Sequence, residues 1–241
     1  MPTFADYLAS GSGGVEYRLD IEGCPRIFVT SEEMEGLDAS GAYRTGGLLR
    51  RGLSVAESVD VPNATLAYSL GSAVIEDTSA TDRAKPWLRG ASSVFSAVPR
   101  VAGYLTATVT AIATVWSVRD ASVFAVGVTY HCDTEAVTVT ARDLGAKTIT
   151  VSRAALRTSI QAHFVEIPSI SGSVTAVCPI LTAPIYRNRR VWLYGHGDSE
   201  LSAASTGTLI GRGMLAQSPK QSGQSWALTL AHALRRSTKR S

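Results

Sequence analysis

The stretch from Arg189 to Leu234 constrains the fold more than any other part of the chain. It holds three short runs, 191–194, 208–212 and 226–230, in which apolar residues alternate with polar or small ones. A period of two places successive side chains on opposite faces of a strand, so each run reads as a half-buried β-strand. The connections between them are rich in Gly, Ser and Asp, the residues that turns require, and the whole predicts a β-meander.

Composition points the same way. The 241 residues suffice for one large β domain or two smaller ones, and at 45% hydrophobic they can bury a sizeable core. Aromatics are sparse, while Ala, Ser, Thr, Val and Gly are abundant, a mix suited to pleated sheets with many turns. Charged residues make up 18% of the chain, below the roughly 25% of ordinary soluble domains. A surface so poor in charge fits either a protein covered in part by other subunits or a compact monomer with a Ser/Thr-rich surface. The net charge of +3 is too small to imply nucleic-acid binding along the whole chain. Basic residues gather at Arg187, Arg189 and Arg190, and again at Arg235, Arg236, Lys239 and Arg240. The second group reads as a solvated basic tail that could meet phosphate or an acidic protein surface.

Cys24, Cys132 and Cys178 have no CxxC spacing and sit beside apolar residues, so buried thiols are expected and neither a disulfide framework nor a zinc motif follows. The first residues lack the basic-then-apolar layout of a secretory signal. The apolar run 104–116 is too short and too rich in Thr to span a membrane.

Along the chain, residues 1–10 suggest a short helix or docking arm, followed by a Gly-rich break at 11–14. Strands are expected at 15–21 and 26–30, joined by a turn containing Gly23 and Pro25. Residues 31–51 read as a long loop, and 53–61 with 64–75 as a strand pair around Pro62 and Asn63. Thr106, Thr108 and Thr110 alternate with Ala107, Val109 and Ala111, which predicts one half-buried strand over 104–116. Further strands are expected at 124–130, 135–140 and 147–151, and an irregular arm or helical turn at 154–163. The fold class that follows is mainly β: a β-barrel or sandwich-like outer domain (1–90 plus 168–241) with an inserted small β module (91–167).

Candidate chemistry is thin. His196, Asp198 and Ser199 place a base, a carboxylate and a nucleophile within four residues. A working triad aligns them in series, and side chains crowded on one turn splay apart. The string is not GxSxG either, so it reads as a polar hairpin loop. His131, Cys132 and Asp133 hint at a metal, but neighbours on a strand face opposite ways and no partner motif accompanies them. Glu32, Glu33, Glu35 and Asp38 lack the order of a calcium loop. No catalytic residue, metal or cofactor is expected. The residues expected at interfaces or in cores are Tyr7, Trp87, Trp116, Trp192 and Trp226, with Arg235 and Arg236 in the tail.

Three segments, in order, resemble the tail hub and baseplate (tail tip) structural proteins of long-tailed bacteriophages. The first is the hairpin from Tyr17 to Thr30, with its strand, Gly, small residue, Pro and strand. The second is Val128 to Val139, similar to an inserted module with a Tyr-x-x-x-Thr-Glu strand, here Tyr130 to Glu135. Some twenty residues later that module has an Arg-containing loop ending in Ala-His, here Arg153 to His163. The third is the C-terminal meander that opens at Arg189. The resemblance implies a virion protein, made in the host cytoplasm, that forms a homo-oligomeric ring (a trimer or hexamer) around the tail channel. Its partners would be other tail proteins: the tube, the tape measure and tip or fibre proteins. DNA would meet it only in transit, and it would not insert in a membrane. The alternative is a carbohydrate- or receptor-binding β module of a phage tail, with the tryptophans forming a shallow site.

Overall fold

A computed structural model describes residues 6, 9–10, 15–30, 36–37, 43–46, 49–51, 55–60, 65–70, 72–76, 94–165, 178–197 and 207–231. The protein is mainly β, built from curled antiparallel sheets. The first strands are β1 (Val15–Ile21), β2 (Arg26–Val29), β3 (Gly36–Leu37), β4 (Tyr43–Thr45), β5 (Leu49–Arg51), β6 (Val55–Asp60), β7 (Thr65–Leu70) and β8 (Ala73–Glu76). Then come β9 (Val101–Leu105), β10 (Val115–Ser117), β11 (Thr129–Cys132), β12 (Glu135–Asp143), β13 (Thr148–Ala155) and β14 (Cys178–Leu181). The last are β15 (Arg190–Gly197), β16 (Thr208–Leu215), β17 (Lys220–Ser222), β18 (Ser225–Leu228) and β19 (Leu230–Ala231).

The chain divides into an outer unit, Met1–Ser96 with Tyr186–Ser241, and an inserted unit, Ala97–Ile185. The sequence boundaries stood at 90/91 and 167/168. The larger difference has a simple cause. Strand β14 pairs with β11 and β9 and completes the inserted sheet, so the chain leaves that unit only after it.

In the outer unit β1 lies at the centre of a seven-stranded sheet of order β19-β16-β15-β1-β2-β4-β3. It pairs with β15 over its full length, from Val15 opposite Gly197 to Ile21 opposite Val191. Leu19 and Ile21 point into the core, and Arg18 and Asp20, bonded to each other at 3.1 Å, alternate with them. A four-stranded sheet, β17-β18-β8-β5, supplies Ile75, Trp226 and Leu228 to the same core. Phe95 sits among its aromatic residues, with ring centroids 5.5 Å from Phe28, 5.4 Å from Tyr186 and 5.4 Å from Trp226.

Two expectations fail here. The third alternating run is not the last strand of a meander. Its first part, β18, pairs with β8 and β17, and only β19 returns to β16. The run therefore links two sheets, which alternation alone cannot reveal because both sheets face one core. Residues 31–51 are not wholly loop either, since β4 joins β2 in parallel and β5 joins β8. These short strands are selected by their partners more than by their own residues.

The inserted unit is a six-stranded sheet of order β10-β13-β12-β11-β14-β9. Its edges meet. Leu105 of β9 bridges to Val118 just after β10, with Thr106 N–H donating to Ser117 O and Arg119 N–H to Tyr104 O, both at 3.0 Å. The sheet thus closes on itself around Trp116, Phe124, Val137, Val139, Ile149 and Ile180. Closure explains why 104–116 is not one strand. The chain must turn back between the two edge strands, and it does so through the bridge of Val109 to His163 and a turn at 110–113. The strand expected at 124–130 forms only from Thr129, after tight turns that bury Phe124.

Two substitutions of opposite sign test this packing. A Cβ on Gly103 would lie 2.6 Å from Cζ of the buried Phe124 ring, so Gly103→Ala is expected to destabilise the inserted unit by about 1–3 kcal/mol in denaturant titration. Lys147, exposed at the end of the 144–147 hairpin loop, has a left-handed backbone with φ 51°. Lys147→Gly is expected to raise stability by a few tenths to about 1 kcal/mol, because glycine relieves that conformation at the cost of its own chain entropy.

Candidate functional site

The polar residues of the inserted unit converge on Glu135, the first residue of β12. Its side chain has no exposed surface. One oxygen, Oε1, accepts from Arg153 Nε at 3.0 Å and from the Ala154 backbone N–H at 3.1 Å. The other, Oε2, accepts from Arg153 Nη2 at 2.6 Å, from the Gln161 N–H at 3.1 Å and from His163 Nε2 at 3.0 Å. Arg153 goes on to donate from Nη1 to the carbonyls of Thr110 (2.7 Å) and Ala113 (3.1 Å), and from Nη2 to that of Gln161. Trp116 packs against the cluster, 5.1 Å edge-on from His163 and 5.2 Å beneath the Arg153 guanidinium, and donates its Nε1–H to Ala113 O.

Local backbone geometry makes this possible. The β12–β13 pairing slips between Ala136 and Thr138, and the extra residue on β13 falls at Arg153 and Ala154. This bulge turns the Ala154 N–H from the ladder toward the Glu135 carboxylate. Ala154, Leu156 and Arg157 all have left-handed backbones, with φ of 56°, 53° and 62°. The region expected as an irregular arm is therefore a strained segment held by the carboxylate it surrounds.

His163 lies between two carboxylates, its Nδ1 2.8 Å from Asp133 Oδ2 and its Nε2 3.0 Å from Glu135 Oε2. Only the imidazolium can donate from both nitrogens. Burial works against its charge, but the bonds to Asp133 and Glu135 outweigh burial and raise its pKa to about 9. Burial likewise works against the Glu135 carboxylate. Bonds from His163, Arg153 and the two backbone N–H groups prevail and hold its pKa at about 2. Two cations and two anions leave the cluster neutral.

On the far side of Asp133 lie two thiols. Cys132 Sγ is 3.6 Å from Cys178 Sγ, and Cys178 Sγ is 4.0 Å from Asp133 Oδ1. The bond with Cys178 and then burial push the Cys132 thiol above its usual range. The sequence argument that Cys132 and Asp133 must diverge fails for a local reason. Asp133 opens the two-residue turn between β11 and β12 with φ 51°, so strand alternation stops at Cys132. Cys178 is brought alongside by β14, whose Ile180 pairs with Cys132.

The interface candidates separate. Trp116 and Trp226 are buried in the cores of their own units. Trp192 is half-buried on β15 with the Arg190 guanidinium 5.3 Å from its ring centre. Tyr7, Trp87, Arg235 and Arg236 lie outside the described residues, as do Asp198, Ser199 and the acidic group 32–35 with Asp38. His196 is fully buried in β15, packed so tightly on Gly207 that a Cβ there would run into the imidazole. Of the first basic group, Arg189 is buried, while Arg187 and Arg190 are exposed and Arg190 binds Glu22 at 2.6 Å. Glu135, Arg153 and His163 stand at the ends of the segments Tyr130 to Glu135 and Arg153 to His163 that carry the resemblance, but no local pattern marks them as one cluster.

Removing the charge at the centre, as in Glu135→Gln, is expected to destabilise the inserted unit by about 3–5 kcal/mol, because it strands buried Arg153 and His163 charges. The pH dependence has two limbs. His163, raised from 6.5 to about 9, stabilises fully below pH 6.5, and its contribution fades as pH rises through 9. Glu135, lowered from 4.5 to about 2, stabilises fully above pH 4.5, and its contribution fades as pH falls through 2. Hydrogen exchange at amides of β11–β13 should show greatest protection between pH 4.5 and 6.5 after correction for intrinsic rates, with both limbs flattened in Glu135→Gln. Compared with known proteins, the chain matches no family model, no curated protein and no solved structure.

Proposed function

We propose that the protein is a structural component of a bacteriophage tail tip, a hub, distal-tail or baseplate ring subunit that works by assembly. It would form a homo-oligomer around the tail channel and join the tail tube to tip or fibre proteins. The observation that carries this reading is the surface of the inserted unit. Its core is already closed, yet Val98, Ile112, Leu144, Phe164 and Ile185 remain more than half exposed, Ile112 at 90% and Phe164 at 68%. Large apolar side chains left outside a completed core favour contact with another protein. Ile112 and Phe164 stand on neighbouring segments, those joined by the Val109–His163 bridge.

A second feature agrees. Strands β6 and β7 pair with each other, from Val55 opposite Leu70 to Asp60 opposite Thr65, and with no other described strand. A two-stranded hairpin is marginal in water without a surface to pack on; here β7 lies against β19 of the same chain, and docking on a partner would add to that support. The cluster around Glu135 supports a structural role for the inserted unit, because its charges are bonded to one another and to main chain. The glycan-binding alternative draws no support from the described tryptophans, two of which are buried.

Light scattering over a concentration series, followed by negative-stain imaging, tests the proposal. A closed trimer or hexamer is expected, with Ile112→Asp and Phe164→Asp shifting it toward monomer while leaving the melting temperature within a few degrees. A chain that stays monomeric at every concentration, alone and with purified tail tubes, yet binds a glycan array would replace this reading with the carbohydrate-binding one.

A further inference from the structure

We infer that Cys132, Cys178 and Asp133 form a mononuclear site for a thiophilic divalent cation of the zinc type. The donor atoms of the three residues all lie within 4.8 Å of one another. The sulfur separation of 3.6 Å is close to the spacing of two thiolates on one tetrahedral ion, about 3.8 Å when each Zn–S bond is roughly 2.3 Å. Asp133 Oδ1, 4.0 Å from Cys178 Sγ, is placed to supply an oxygen with a small inward movement.

The surroundings are those of a metal site. Asp133 is oriented from behind, its Oδ2 held by His163 at 2.8 Å, and His163 is itself fixed by Glu135. Ligating carboxylates are commonly held in this way by an outer layer of hydrogen bonds. The two sulfurs are buried, and the Asp133 side chain, 48% exposed, marks the path by which an ion reaches them. Two thiolates and one carboxylate would leave a dication with a net charge of −1. Three protein ligands leave the fourth tetrahedral position to water. Each thiol releases its proton to solvent as its sulfur binds, so the step requires no oxidant or reductant. A mixed thiolate–carboxylate set favours zinc or cobalt over calcium or magnesium.

Cobalt(II) is the probe, because thiolate coordination gives it an intense charge-transfer absorption that oxygen ligands do not. The full chain, reduced and stripped of metal under argon, is expected to take up one equivalent of Co²⁺ with that absorption, and zinc should displace it and raise the melting temperature. Cys132→Ser and Cys178→Ser should abolish the band, while Cys24→Ser leaves it unchanged. Because loss of a buried thiol can disturb folding, Asp133→Asn is the second variant: both thiols remain, cobalt affinity is expected to fall more than tenfold in protein that circular dichroism shows to be folded, and the apo melting temperature falls as well because His163 loses a carboxylate partner. Absence of the charge-transfer band in the reduced wild-type chain overturns the inference. So does a band indifferent to Cys132→Ser in a folded variant. Reduced protein that ignores cobalt but links Cys132 to Cys178 under mild oxidation would identify the pair as a disulfide instead.

Discussion

The inserted unit is organised by the need to keep one buried carboxylate charged. An ionised side chain out of solvent is stable only when opposite charge and hydrogen bonds replace its hydration. Glu135 receives five donors from Arg153, His163 and two backbone amides. Two of the donors, the Gln161 amide and His163, lie in the irregular chain that follows β13. Arg153 ties down the 110–113 turn through two carbonyls, and the Gln161 amide and His163 fix the chain that leaves β13. The carboxylate therefore fastens the irregular parts of the unit to its sheet.

The same bonds account for the backbone strain. Three non-glycine residues between 154 and 157 have left-handed conformations, each costing on the order of 1–3 kcal/mol. Such a run survives only where its surroundings over-determine it. Here the Ala154 amide is spent on Glu135, and Thr158, which follows the strained residues, binds back through Oγ1 to the Ala155 carbonyl at 2.7 Å and the Ala136 amide at 3.0 Å. Strain and network offset each other, and loss of the carboxylate would leave both the cations and the backbone without support.

What the sequence could convey followed the range of the interaction. The opening hairpin was legible, since β1, its Gly-containing turn and β2 lie within sixteen residues and Gly23 has the positive φ, 74°, that its turn needs. The central parts of β12 and β13, expected at 135–140 and 147–151, were legible for the same reason, although the strands run on to Asp143 and Ala155. The partition of the third C-terminal run between two sheets was not, because Trp226 and Leu230 alternate identically whichever sheet receives them. The break in 104–116 was hidden too. Its Thr and apolar residues have the strand period, and only closure of the sheet, a property of all six strands, forces the turn. The site was the least legible of all. Glu135, Arg153 and His163 are spread over 28 residues, and Cys178 reaches Cys132 only because β14 is the neighbour of β11. No periodicity records such a meeting. One local clue existed: an Asp at the first position of a two-residue turn readily takes positive φ, and that is what releases Asp133 from strand alternation.

Closure of the inserted sheet also limits how this chain could meet a neighbour. A sheet whose edge strands β9 and β10 bridge each other has little edge left for a partner strand to extend. Contacts made by the inserted unit must then be side-chain contacts, and its exposed Ile112 and Phe164 are of the kind that such contacts use. The outer unit differs. Its four-stranded sheet ends in β17, whose three residues are all exposed, and its seven-stranded sheet ends in two-residue strands. Short, exposed edges carrying Lys220 resist indiscriminate strand pairing. In the proposed ring the inserted unit would therefore contribute side-chain packing, while strand pairing with a neighbour would be left to the outer unit's β6–β7 ribbon, whose six-residue strands pair only with each other among the described strands.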